Sequence, residues 1–378
     1  MKILIIGGHI TPALAVIENL ENRNKIKNKY EFFFAGRKFA LEGEKTISEE
    51  YKIIKEKNIP FFNLTTGRLQ RSFTRYTFFS LLKTPIGFFQ ALNMINKIKP
   101  NVILSFGGYV SIPVCFVAWL KQIPIVTHEQ TIIPGLANKI IGKIADKVCL
   151  SWKETEKYFP NSKTIITGNP VRKSIFSENK PNTINIENDN NVLYITGGSL
   201  GSHTINNLVK QMLNQLLVKY YVIHQCGDAK SYRDFDDLED MKKKLDVKMQ
   251  NKYYVEKYIN EKNVGWILKK AKIIISRAGA NTVSEIAALG KVAILIPLPW
   301  AGGNEQEENA KILKNIGCAE IINQEELTPN LLMERIQKIE SNYELYDKNG
   351  KMAKQIINLN SAEEITNVID EIYKKRNN

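Results

Sequence analysis

Residues 276–310 read SRAGANTVSEIAALGKVAILIPLPWAGGNEQEENA, and this stretch decides the fold class. It follows the apolar run 273–275, which predicts a short buried strand. A turn of small residues then opens a helical pattern that stops at Gly290, and a second apolar run covers 292–296. Strand, helix and strand in this order form a βαβ unit, whose turn brings free backbone N–H groups and the helix dipole to one point. Such a point favours an anion, typically a phosphate.

Glu285 lies one turn into the predicted helix, where its carboxylate can accept hydrogen bonds from two sugar hydroxyls. A single turn of this kind is explained more simply by an ordinary βαβ unit, in which Glu285 interacts with the helix dipole. A second glycine-rich turn, GGSLGS at 197–202, ends another apolar run at 192–196. Its N–H groups and Ser199 could hold a diphosphate, although glycine also serves tight turns. Two such turns at strand ends predict a nucleotide-diphosphate site.

The composition predicts two α/β domains with parallel sheets. The chain has 378 residues, 43% of them hydrophobic, and its long apolar runs alternate with helical patterns. No apolar run approaches the ~20 residues of a membrane-spanning helix, and the longest candidate, 110–120, contains Pro113. The apolar run between Lys2 and Gly7 is too short for a signal peptide. We therefore expect a cytoplasmic protein.

The cysteines and histidines lack the spacing of metal ligands. The four cysteines are scattered in mostly apolar surroundings, which is typical of reduced core residues. They are Cys115, Cys149, Cys226 and Cys318. The four histidines form no ligand pair, so we predict neither a bound metal cluster nor a cofactor.

The net charge of +14 is concentrated in the first half of the chain. Residues 1–168 carry 24 Lys or Arg against 12 Asp or Glu, a balance of +12, and the rest carry 29 against 27, or +2. No acidic residue lies between Lys57 and His128. Within this gap, the basic-aromatic segment 67–83 mixes basic residues with aromatic and aliphatic ones. This mixture suits an anionic membrane surface, where cations meet headgroups and apolar rings enter the acyl boundary.

We favour membrane contact for the basic-aromatic segment over two alternatives. A surface loop followed by a core helix would have a similar composition, and single-stranded nucleic acid would bind a similar mixture. The cations are Arg68, Arg71, Arg75 and Lys83. The apolar side chains in and just beyond the segment are Phe78, Phe79, Leu82, Phe88 and Phe89.

Three predicted strands of the first half end in polar or glycine-rich residues. His9 follows the first strand after the glycine pair 7–8, and an imidazole there can take a proton from a hydroxyl, although a helix-capping or core histidine is an equal alternative. The other two strands lead into GGYVS at 107–111 and HEQT at 128–131, with Asn138 a short way beyond. A buried His–Glu pair could be purely structural. Because the carboxyl ends of parallel strands line the ligand crevice, the three strand ends together predict a second substrate cavity. No G-x-S-x-G elbow supports a serine nucleophile.

A set of motifs occurs in one order along essentially the whole chain. They are GGYVSIP at 107–113, HEQ at 128–130, GLANK at 135–139, GNPVR at 168–172, GGSLGS at 197–202, HQCG at 224–227, and SRAGANTVSE at 276–285 followed by Gln306 and Asn309. The set resembles the MurG family of peptidoglycan glycosyltransferases, and it is more specific to that family than any one motif.

The resemblance implies a GT-B fold, in which two Rossmann-like domains face a cleft. It implies inverting, metal-independent transfer of N-acetylglucosamine from UDP-GlcNAc to the C4 hydroxyl of the muramoyl sugar of lipid I, an undecaprenyl-linked acceptor, to give lipid II for peptidoglycan synthesis. It also implies peripheral attachment to the anionic, cytoplasmic face of the cell membrane, association with cell-wall synthesis complexes, and no nucleic-acid partner. We expect an acceptor- and membrane-facing domain at 1–168 and a UDP-GlcNAc-binding domain at 169–357, with a helix at about 358–376 packing back on the first.

The resemblance also implies roles for individual residues. Arg172 and Ser199 contact the uridine diphosphate, Ile259 meets the uracil through its backbone, and Glu285 takes the ribose hydroxyls. His9 matches the proposed base for the acceptor hydroxyl. The start of the donor helix comprises Ala280, Asn281, Thr282, Val283 and Ser284. The sugar hydroxyls are assigned to Gln306 and Asn309, and Thr131 belongs to the donor site. The acceptor and cleft residues are Gly7, Gly8, Tyr109, His128, Glu129 and Asn138.

Two departures from the family pattern keep alternatives open. The family's first loop is usually GGTGGH, whereas Gly7, Gly8 and His9 form a shorter loop, and that loop is thought to cradle the acceptor diphosphate. The family's HEQN is HEQT in this chain, so Thr131 replaces an amide with a hydroxyl. Two other functions therefore stand beside lipid II synthesis. One is glycosyl transfer to another lipid such as diacylglycerol, and the other is membrane-bound UDP-sugar binding with impaired turnover.

Overall fold

The computed structural model describes residues 1–27, 29–39, 47–67, 84–186, 191–198, 200–229, 232–299 and 304–377. The chain divides into two compact units, Met1–Arg172 with Asn358–Asn378, and Lys173–Ile357. Each unit is built on one parallel β-sheet with helices packed against it. The predicted α/β class with two Rossmann-like domains is therefore confirmed.

The first unit carries a parallel sheet whose central strands end side by side. Its elements are β1 (Lys2–Ile6), α1 (Ile10–Lys27), β2 (Glu31–Gly36), α2 (Glu49–Glu56), β3 (Phe61–Asn63), α3 (Thr84–Ile98), β4 (Val102–Ser105), α4 (Ser111–Leu120), β5 (Ile125–Glu129), α5 (Leu136–Ile144), β6 (Lys147–Leu150) and β7 (Thr164–Ile166). The described strands lie in the order β3-β2-β1-β4-β5-β6-β7. Since β1 pairs in parallel with both β2 and β4, their carboxyl ends meet at one edge of the sheet.

Strand β1 shows why the strands of this sheet appear in the sequence as continuous apolar runs. Ile3 and Ile5 belong to one hydrophobic core, and Leu4 and Ile6 belong to another. Successive side chains of a strand point to opposite faces of the sheet. All four are fully buried because helices cover both faces, so the four positions after Lys2 are all apolar.

The second unit repeats this architecture. Its elements are β8 (Val192–Thr196), α6 (His203–Lys219), β9 (Tyr221–Gln225), α7 (Asp234–Lys243), α8 (Val247–Gln250), β10 (Tyr253–Glu256), α9 (Glu261–Lys270), β11 (Ile273–Ser276), α10 (Ala280–Leu289), β12 (Val292–Leu295), α11 (Glu305–Ile316), β13 (Ala319–Ile321), α12 (Pro329–Ser341) and α13 (Tyr343–Ile356). The parallel strands lie in the order β10-β9-β8-β11-β12-β13. The central strands β8 and β11 therefore end next to each other.

Local signals set the ends of the helices beside these strands. Ser202 caps α6, since its Oγ accepts the N–H of Ile205 at 3.4 Å. Helix α10 ends at Gly290, whose φ of +66° lies in the left-handed region that favours glycine, as the sequence predicted. The described part of the charged stretch 228–250 contains the two helices α7 and α8.

The final helix, α14 (Ser361–Asn377), completes the core of the first unit by packing on α1. Its side chains Ile365 and Ile369 are fully buried in the core that includes Ile3 and Ile5. Polar contacts also join its Asp370 to the other end of the unit: this carboxylate binds Nζ of Lys29 at 2.8 Å and a guanidinium nitrogen of Arg23 at 3.4 Å, and accepts the hydroxyl of Tyr30 at 2.8 Å.

Some segments singled out in the sequence have no regular structure, and others lie outside the described residues. The described residues 177–186 contain neither helix nor strand. No helix within the described ranges is long and apolar enough to cross a membrane. Residues 68–83, which hold the cations Arg68, Arg71, Arg75 and Lys83 and the side chains Phe78, Phe79 and Leu82, lie outside the described residues, as does Ser199.

Candidate functional site

The first glycine loop, residues 7–9, joins β1 to α1 at the carboxyl edge of the first sheet. It packs backbone against backbone on the turn after β4. A Cβ on Gly8 would clash with the carbonyl group of Gly107, lying 2.6 Å from its carbon. Gly107 and Gly108 have φ of +78° and +76°, a conformation that favours glycine. The glycines predicted at these two strand ends therefore lie together, with Tyr109 directly after them.

His9 is exposed at the end of the first glycine loop. Desolvation by the surrounding protein lowers the pKa of His9 to about 4, whereas the exposure of the residue keeps its ring in contact with water and opposes so large a drop. On both accounts the imidazole is neutral at pH 7. A neutral ring nitrogen at this position can accept a proton from a hydroxyl.

A carboxyl group lies beneath the first glycine loop. Glu50, in the first turn of α2, fills the space that side chains on Gly7 and Gly36 would occupy. The backbone N–H of Arg37 donates to this carboxyl group, and the Arg37 guanidinium lies over the ring of Tyr109, 5.2 Å from its centre. Burial raises the pKa of Glu50 to about 7, against the opposing effect of Arg37. Sequence reasoning missed Glu50, which is one of several acidic residues in a charged stretch.

Glu129, at the end of β5, is the centre of a buried hydrogen-bond network. Its carboxylate accepts the backbone N–H of Thr131 at 3.0 Å, the hydroxyl of Thr131 at 2.8 Å, the N–H of Gly135 at 3.1 Å and the amide of Asn138 at 2.9 Å. Asn138 also donates to the carbonyl of His128 at 3.0 Å. The network fixes the segment between β5 and α5. In this structure the polar groups predicted here for the donor site and cleft bind one another.

His128 is a neutral, buried histidine. Its Nε2 lies 3.1 Å from the carbonyl oxygen of Gly168 and 3.3 Å from Oγ of Ser151. Burial lowers the pKa of His128 to about 4. Its Nδ1 is sealed from solvent and has no hydrogen-bond partner among the described residues. The imidazole of His128 is therefore buried at the carboxyl edge of the sheet and does not reach solvent.

The GGSLGS turn, residues 197–202, joins β8 to α6 at the corresponding edge of the second sheet. Gly198 and Gly201 have φ of +88° and +76°. A Cβ on Gly201 would clash with the carbonyl group of Cys226, lying 2.8 Å from its carbon. The Gly198 N–H donates to Oγ1 of Thr196 at 3.0 Å, and the Gly201 N–H donates to the Gly198 carbonyl at 3.0 Å. This turn therefore also depends on glycine for its conformation and for a close backbone approach.

Gln225, at the end of β9, connects the GGSLGS turn to Ile259. Its amide donates to the carbonyl of Gly198 at 3.1 Å and accepts the N–H of Ile259 at 3.2 Å. The resemblance assigned Ile259 to the uracil, and the glycine pattern assigned the turn to a diphosphate. One side chain thus joins the two predicted parts of the donor site. The HQCG motif contains Gln225, but the motif alone does not show that the Gln225 amide binds both Gly198 and Ile259.

Arg277, directly after β11, connects the GGSLGS turn to the loop after β12. Its guanidinium donates to Oγ of Ser202 at 2.7 Å, to Oε1 of Gln324 at 2.6 Å, and to the carbonyl oxygens of Ile296 at 3.1 Å and Pro297 at 3.4 Å. Within the described part of the chain, these partners are all neutral. Desolvation lowers the pKa of Arg277 to about 10, so it remains a cation at pH 7. A cation held by neutral oxygens suits a site for an anion.

The start of α10 places the residues predicted for the donor. Ala280, Val283, Ser284 and Glu285 are buried, and Asn281 and Thr282 are half-buried. Oγ of Ser284 donates to the carbonyl of Ala280 at 2.9 Å, which turns it back into the helix. Glu285 is 8% exposed, so one edge of the residue still reaches solvent.

Gln306 and Asn309, on α11, hold neighbouring backbone groups in place. Oε1 of Gln306 accepts the N–H of Leu298 at 3.0 Å, and the Asn309 amide donates to the carbonyl of Ala278 at 3.3 Å. Asn309 is fully buried, and its Oδ1 has no partner in the described structure. Both side chains therefore support the turns at the ends of β11 and β12.

The predicted residues fall into two groups, one in each unit. The first unit holds His9, Gly7, Gly8, Tyr109, Thr131, His128, Glu129, Asn138 and, after β7, the half-buried Arg172. The second unit holds Ile259, the start of α10 with Glu285, and Gln306 and Asn309. Among the described residues, no group of three or more His, Cys, Asp or Glu side chains is arranged to hold a metal ion.

Two sheets with glycine turns at their carboxyl edges define a class of enzyme. The N-terminal domain of glycosyltransferase family 28 matches residues 6–150, and the C-terminal domain of the same family matches residues 192–370. The fold and these two matches are those of a two-domain glycosyltransferase that uses a nucleotide sugar.

The relatives identify the family within this class. The UDP-N-acetylglucosamine--N-acetylmuramyl-(pentapeptide) pyrophosphoryl-undecaprenol N-acetylglucosamine transferase of Clostridium perfringens is 35% identical over 99% of this chain and 98% of its own length. The Clostridium tetani enzyme of the same name is 32% identical over 100% and 99%. This chain belongs to that transferase family, MurG, as the sequence motifs predicted.

One solved structure agrees with this assignment, and a second shares the fold alone. The crystal structure of Acinetobacter baumannii MurG is similar with a TM-score of 0.69 and 25% identity, over 98% of this chain and all of that one. The UDP complex of S. aureus MnaA shares the fold, with a TM-score of 0.70 at 13% identity over 99% of this chain and 97% of that one.

Proposed function

We propose that this protein transfers N-acetylglucosamine from UDP-GlcNAc to the C4 hydroxyl of the muramoyl sugar of undecaprenyl-diphosphoryl-MurNAc-peptide, or lipid I, giving lipid II. The observation that carries the proposal is the 35% identity over 99% of the chain to a transferase of that name. The glycine turns at the carboxyl edges of both sheets support it, because each offers backbone that a diphosphate can approach closely.

The reaction is an inverting substitution at the sugar C1. The acceptor C4 oxygen attacks C1 from the face opposite to the leaving group, the bond from C1 to the diphosphate oxygen breaks, and UDP departs. The acceptor proton passes to the neutral imidazole of His9, because a sugar hydroxyl is a poor nucleophile until its proton leaves. The loop places this ring, exposed, at the sheet edge.

The second unit holds the donor. Glu285 accepts the ribose hydroxyls at the start of α10, and Ile259 contacts the uracil. The positive charge of Arg277 and the dipole of α10 favour the diphosphate and stabilise the charge that develops on it as UDP leaves. Gln306 and Asn309 support the backbone next to the sugar. Gln225 fixes the position of Ile259, at the uracil, relative to the GGSLGS turn at the diphosphate.

A turnover assay tests the proposal directly. Purified protein, UDP-GlcNAc and one of two acceptors, lipid I or diacylglycerol, are incubated, and the glycolipid product and released UDP are measured. We expect product with lipid I alone. Product with diacylglycerol alone would identify a different lipid glycosyltransferase, and UDP-GlcNAc binding without product from either acceptor would identify a binding protein.

The lipid acceptor places the enzyme on an anionic membrane surface, at the cytoplasmic face. Helices α3, α4 and α5 pack side by side in the first unit and leave large apolar side chains exposed. These are Ile86, Phe89 and Leu92 on α3, Phe116, Trp119 and Leu120 on α4, and Leu136 and Ile140 on α5. Phe89 and Leu120 are the most exposed, at 69% and 62%. Exposed apolar side chains in and shortly after the acid-free sequence 58–127 suit insertion at the headgroup level.

Vesicle co-sedimentation tests the membrane surface. The double variant Phe89→Ser/Leu120→Ser should bind phosphatidylglycerol vesicles much more weakly than wild type, because each large apolar side chain contributes about 1.5–3 kcal/mol on burial. An Arg68/Arg71/Arg75→Glu variant should lose the preference for phosphatidylglycerol over phosphatidylcholine, and salt should weaken wild-type binding.

The second unit offers a matched control for the apolar substitutions. Val218 and Val247 are 69% and 72% exposed there, so Val218→Ser/Val247→Ser removes a comparable number of exposed apolar side chains. This variant should bind vesicles like wild type. Equal losses in both double variants would contradict a specific membrane surface on the first unit.

A further inference from the structure

The carboxyl group of Glu50 occupies an unusual place for an acidic side chain. Side chains on Gly7 and Gly36 would overlap it, so the carboxyl group fills the side-chain space at the ends of two adjacent strands, β1 and β2. Gly7 is also tied to β2 by a hydrogen bond from its N–H to the carbonyl of Ala35, at 2.9 Å. Glu50 is therefore built into the base of the first glycine loop, which carries His9.

The hydrogen bonds of Glu50 are too few for an ionised carboxylate. The backbone N–H of Arg37 donates to the group, but Oε1 is sealed from solvent and has no hydrogen-bond partner in the described residues. A carboxylate has two acceptor oxygens, and leaving a buried charged oxygen without a donor is costly. Glu129 shows the contrast in hydrogen bonding, since four donors surround its buried carboxyl group and oppose the rise in pKa that burial causes.

The neighbouring groups on each packed element give Glu50 little compensating charge. Among the described residues, the turn after β2 provides the charge of Arg37, whose guanidinium also lies over the ring of Tyr109. The strand β2 itself contributes the apolar ring of Phe34 near the same space. Burial accordingly raises the pKa of Glu50 to about 7.

We propose that Glu50 is a positioning residue for the first glycine loop, and that the loop receives the anionic, diphosphate-bearing acceptor only while the Glu50 carboxyl is protonated. The proposal rests on the proposed function. A protonated carboxyl leaves the loop packed on Gly107 and adds no charge beside the incoming anion. Once ionised, the carboxylate is an unpaired negative charge under the loop, where it repels the acceptor and drives the carboxyl group out toward water.

The acceptor KM against pH is the decisive measurement, made with lipid I at saturating UDP-GlcNAc. In wild type the acceptor KM should rise about tenfold between pH 6 and pH 8, as expected for one ionisation near pH 7 that abolishes acceptor binding. Glu50→Gln keeps the shape and is permanently neutral, so its acceptor KM should stay flat over this range. The KM for UDP-GlcNAc should follow the same pH profile in both proteins.

Helix α2 contains a matched control. Glu56 is exposed near the end of the same helix, so Glu56→Gln removes an equal charge without touching the loop, and its acceptor KM should rise with pH as in wild type. Parallel profiles in wild type and Glu50→Gln would overturn the role of Glu50. Absence of transfer by wild type would instead overturn the proposed function, and this proposal with it.

Thermal unfolding gives a readout that needs no substrate. The folded-state pKa of Glu50 is raised from 4.5 to about 7, so the folded protein binds the proton more tightly than the unfolded chain. The wild type should therefore lose stability relative to Glu50→Gln as pH rises from 4.5 to 7, with no further change above that range. A difference in Tm that is independent of pH would show that Glu50 is ionised throughout, against the proposal.

Discussion

The first glycine loop and the GGSLGS turn occupy equivalent positions in their sheets but are held in opposite ways. Both follow a central strand and precede a helix, and both bring glycine backbone against a neighbouring turn. The GGSLGS turn is held by a neutral amide, Gln225, and by the cation Arg277. The first glycine loop is supported instead by the carboxyl group of Glu50.

This contrast shows that two similar backbone turns can differ in the charge built beneath them. Arg277 contributes a cation whose described partners are neutral, so its region of the second unit favours an anion before any ligand arrives. The first unit buries acidic groups at its edge, among them Glu50 and Glu129. On the proposed roles, the second unit is prepared for the donor diphosphate, whereas acceptor binding by the first unit depends on the protonation state of a carboxyl group.

Removal of His9 is expected to have the largest effect, because it tests whether the acceptor-side loop performs the proton transfer. His9→Ala should slow transfer by about 10²–10⁴ at saturating substrates, the usual contribution of a general base. UDP affinity, measured by calorimetry, should stay close to wild type, since the proposed role of His9 is toward the acceptor hydroxyl and not toward UDP. Near-normal turnover of this variant would assign His9 a structural role. It would also contradict the proposal that the first glycine loop performs the proton transfer.

Removal of Glu285 should have the next largest effect, on the donor side. Glu285→Ala leaves ribose hydroxyls without a charged acceptor, which costs about 1.5–3 kcal/mol, or roughly ten- to hundredfold in affinity. UDP and UDP-GlcNAc should lose similar amounts, because the contact is to ribose. Glu325→Ala, at an exposed glutamate of the same unit, is the control and should bind UDP normally. Unchanged UDP affinity in Glu285→Ala would refute the assignment.

Two glycine substitutions, one in the first glycine loop and one in the GGSLGS turn, should produce the smallest effects. Gly8→Ala places a Cβ against the Gly107 carbonyl group, so we expect it to lower the unfolding free energy by about 1–3 kcal/mol through overpacking. Gly198→Ala has open space around its Cβ but a φ of +88°, which costs about 1–2 kcal/mol.

The two glycine variants, Gly8→Ala and Gly198→Ala, should affect the binding of different substrates. Gly8→Ala should raise the acceptor KM and spare UDP binding, whereas Gly198→Ala should weaken UDP binding. Denaturant unfolding, calorimetry and steady-state kinetics on both variants measure these effects. If both variants change the same substrate constant, the two turns do not serve different substrates.

The strand–turn–helix order was predictable because its signals are local. Short apolar runs bounded by glycine predicted β1, β8, β11 and β12, and Gly290 marked the end of α10 at the correct residue. The same runs identified the sheet edges, since polar residues directly after a parallel strand lie at its carboxyl end. The family motifs then distinguished the first unit from the second.

The contacts that support the site depend on packing and were not predictable. Glu50 lies in a charged stretch, and only the placement of α2 against the ends of β1 and β2 brings its carboxyl group beneath Gly7. Gln225 joins groups that are 27 and 34 residues away along the chain. The apolar run 110–120 likewise does not reveal that Trp119 and Leu120 stay exposed, because hydrophobicity alone does not say what covers a side chain.

The return of α14 to the first unit affects the order in which the protein can fold on the ribosome. The second unit is one uninterrupted stretch, Lys173–Ile357, so its whole core has been synthesised before α14 emerges. The core of the first unit still lacks Ile365, Val368 and Ile369 at that stage, which leaves apolar surface of α1 uncovered. The half that is made first is therefore completed last, in reverse of the usual order for multidomain chains.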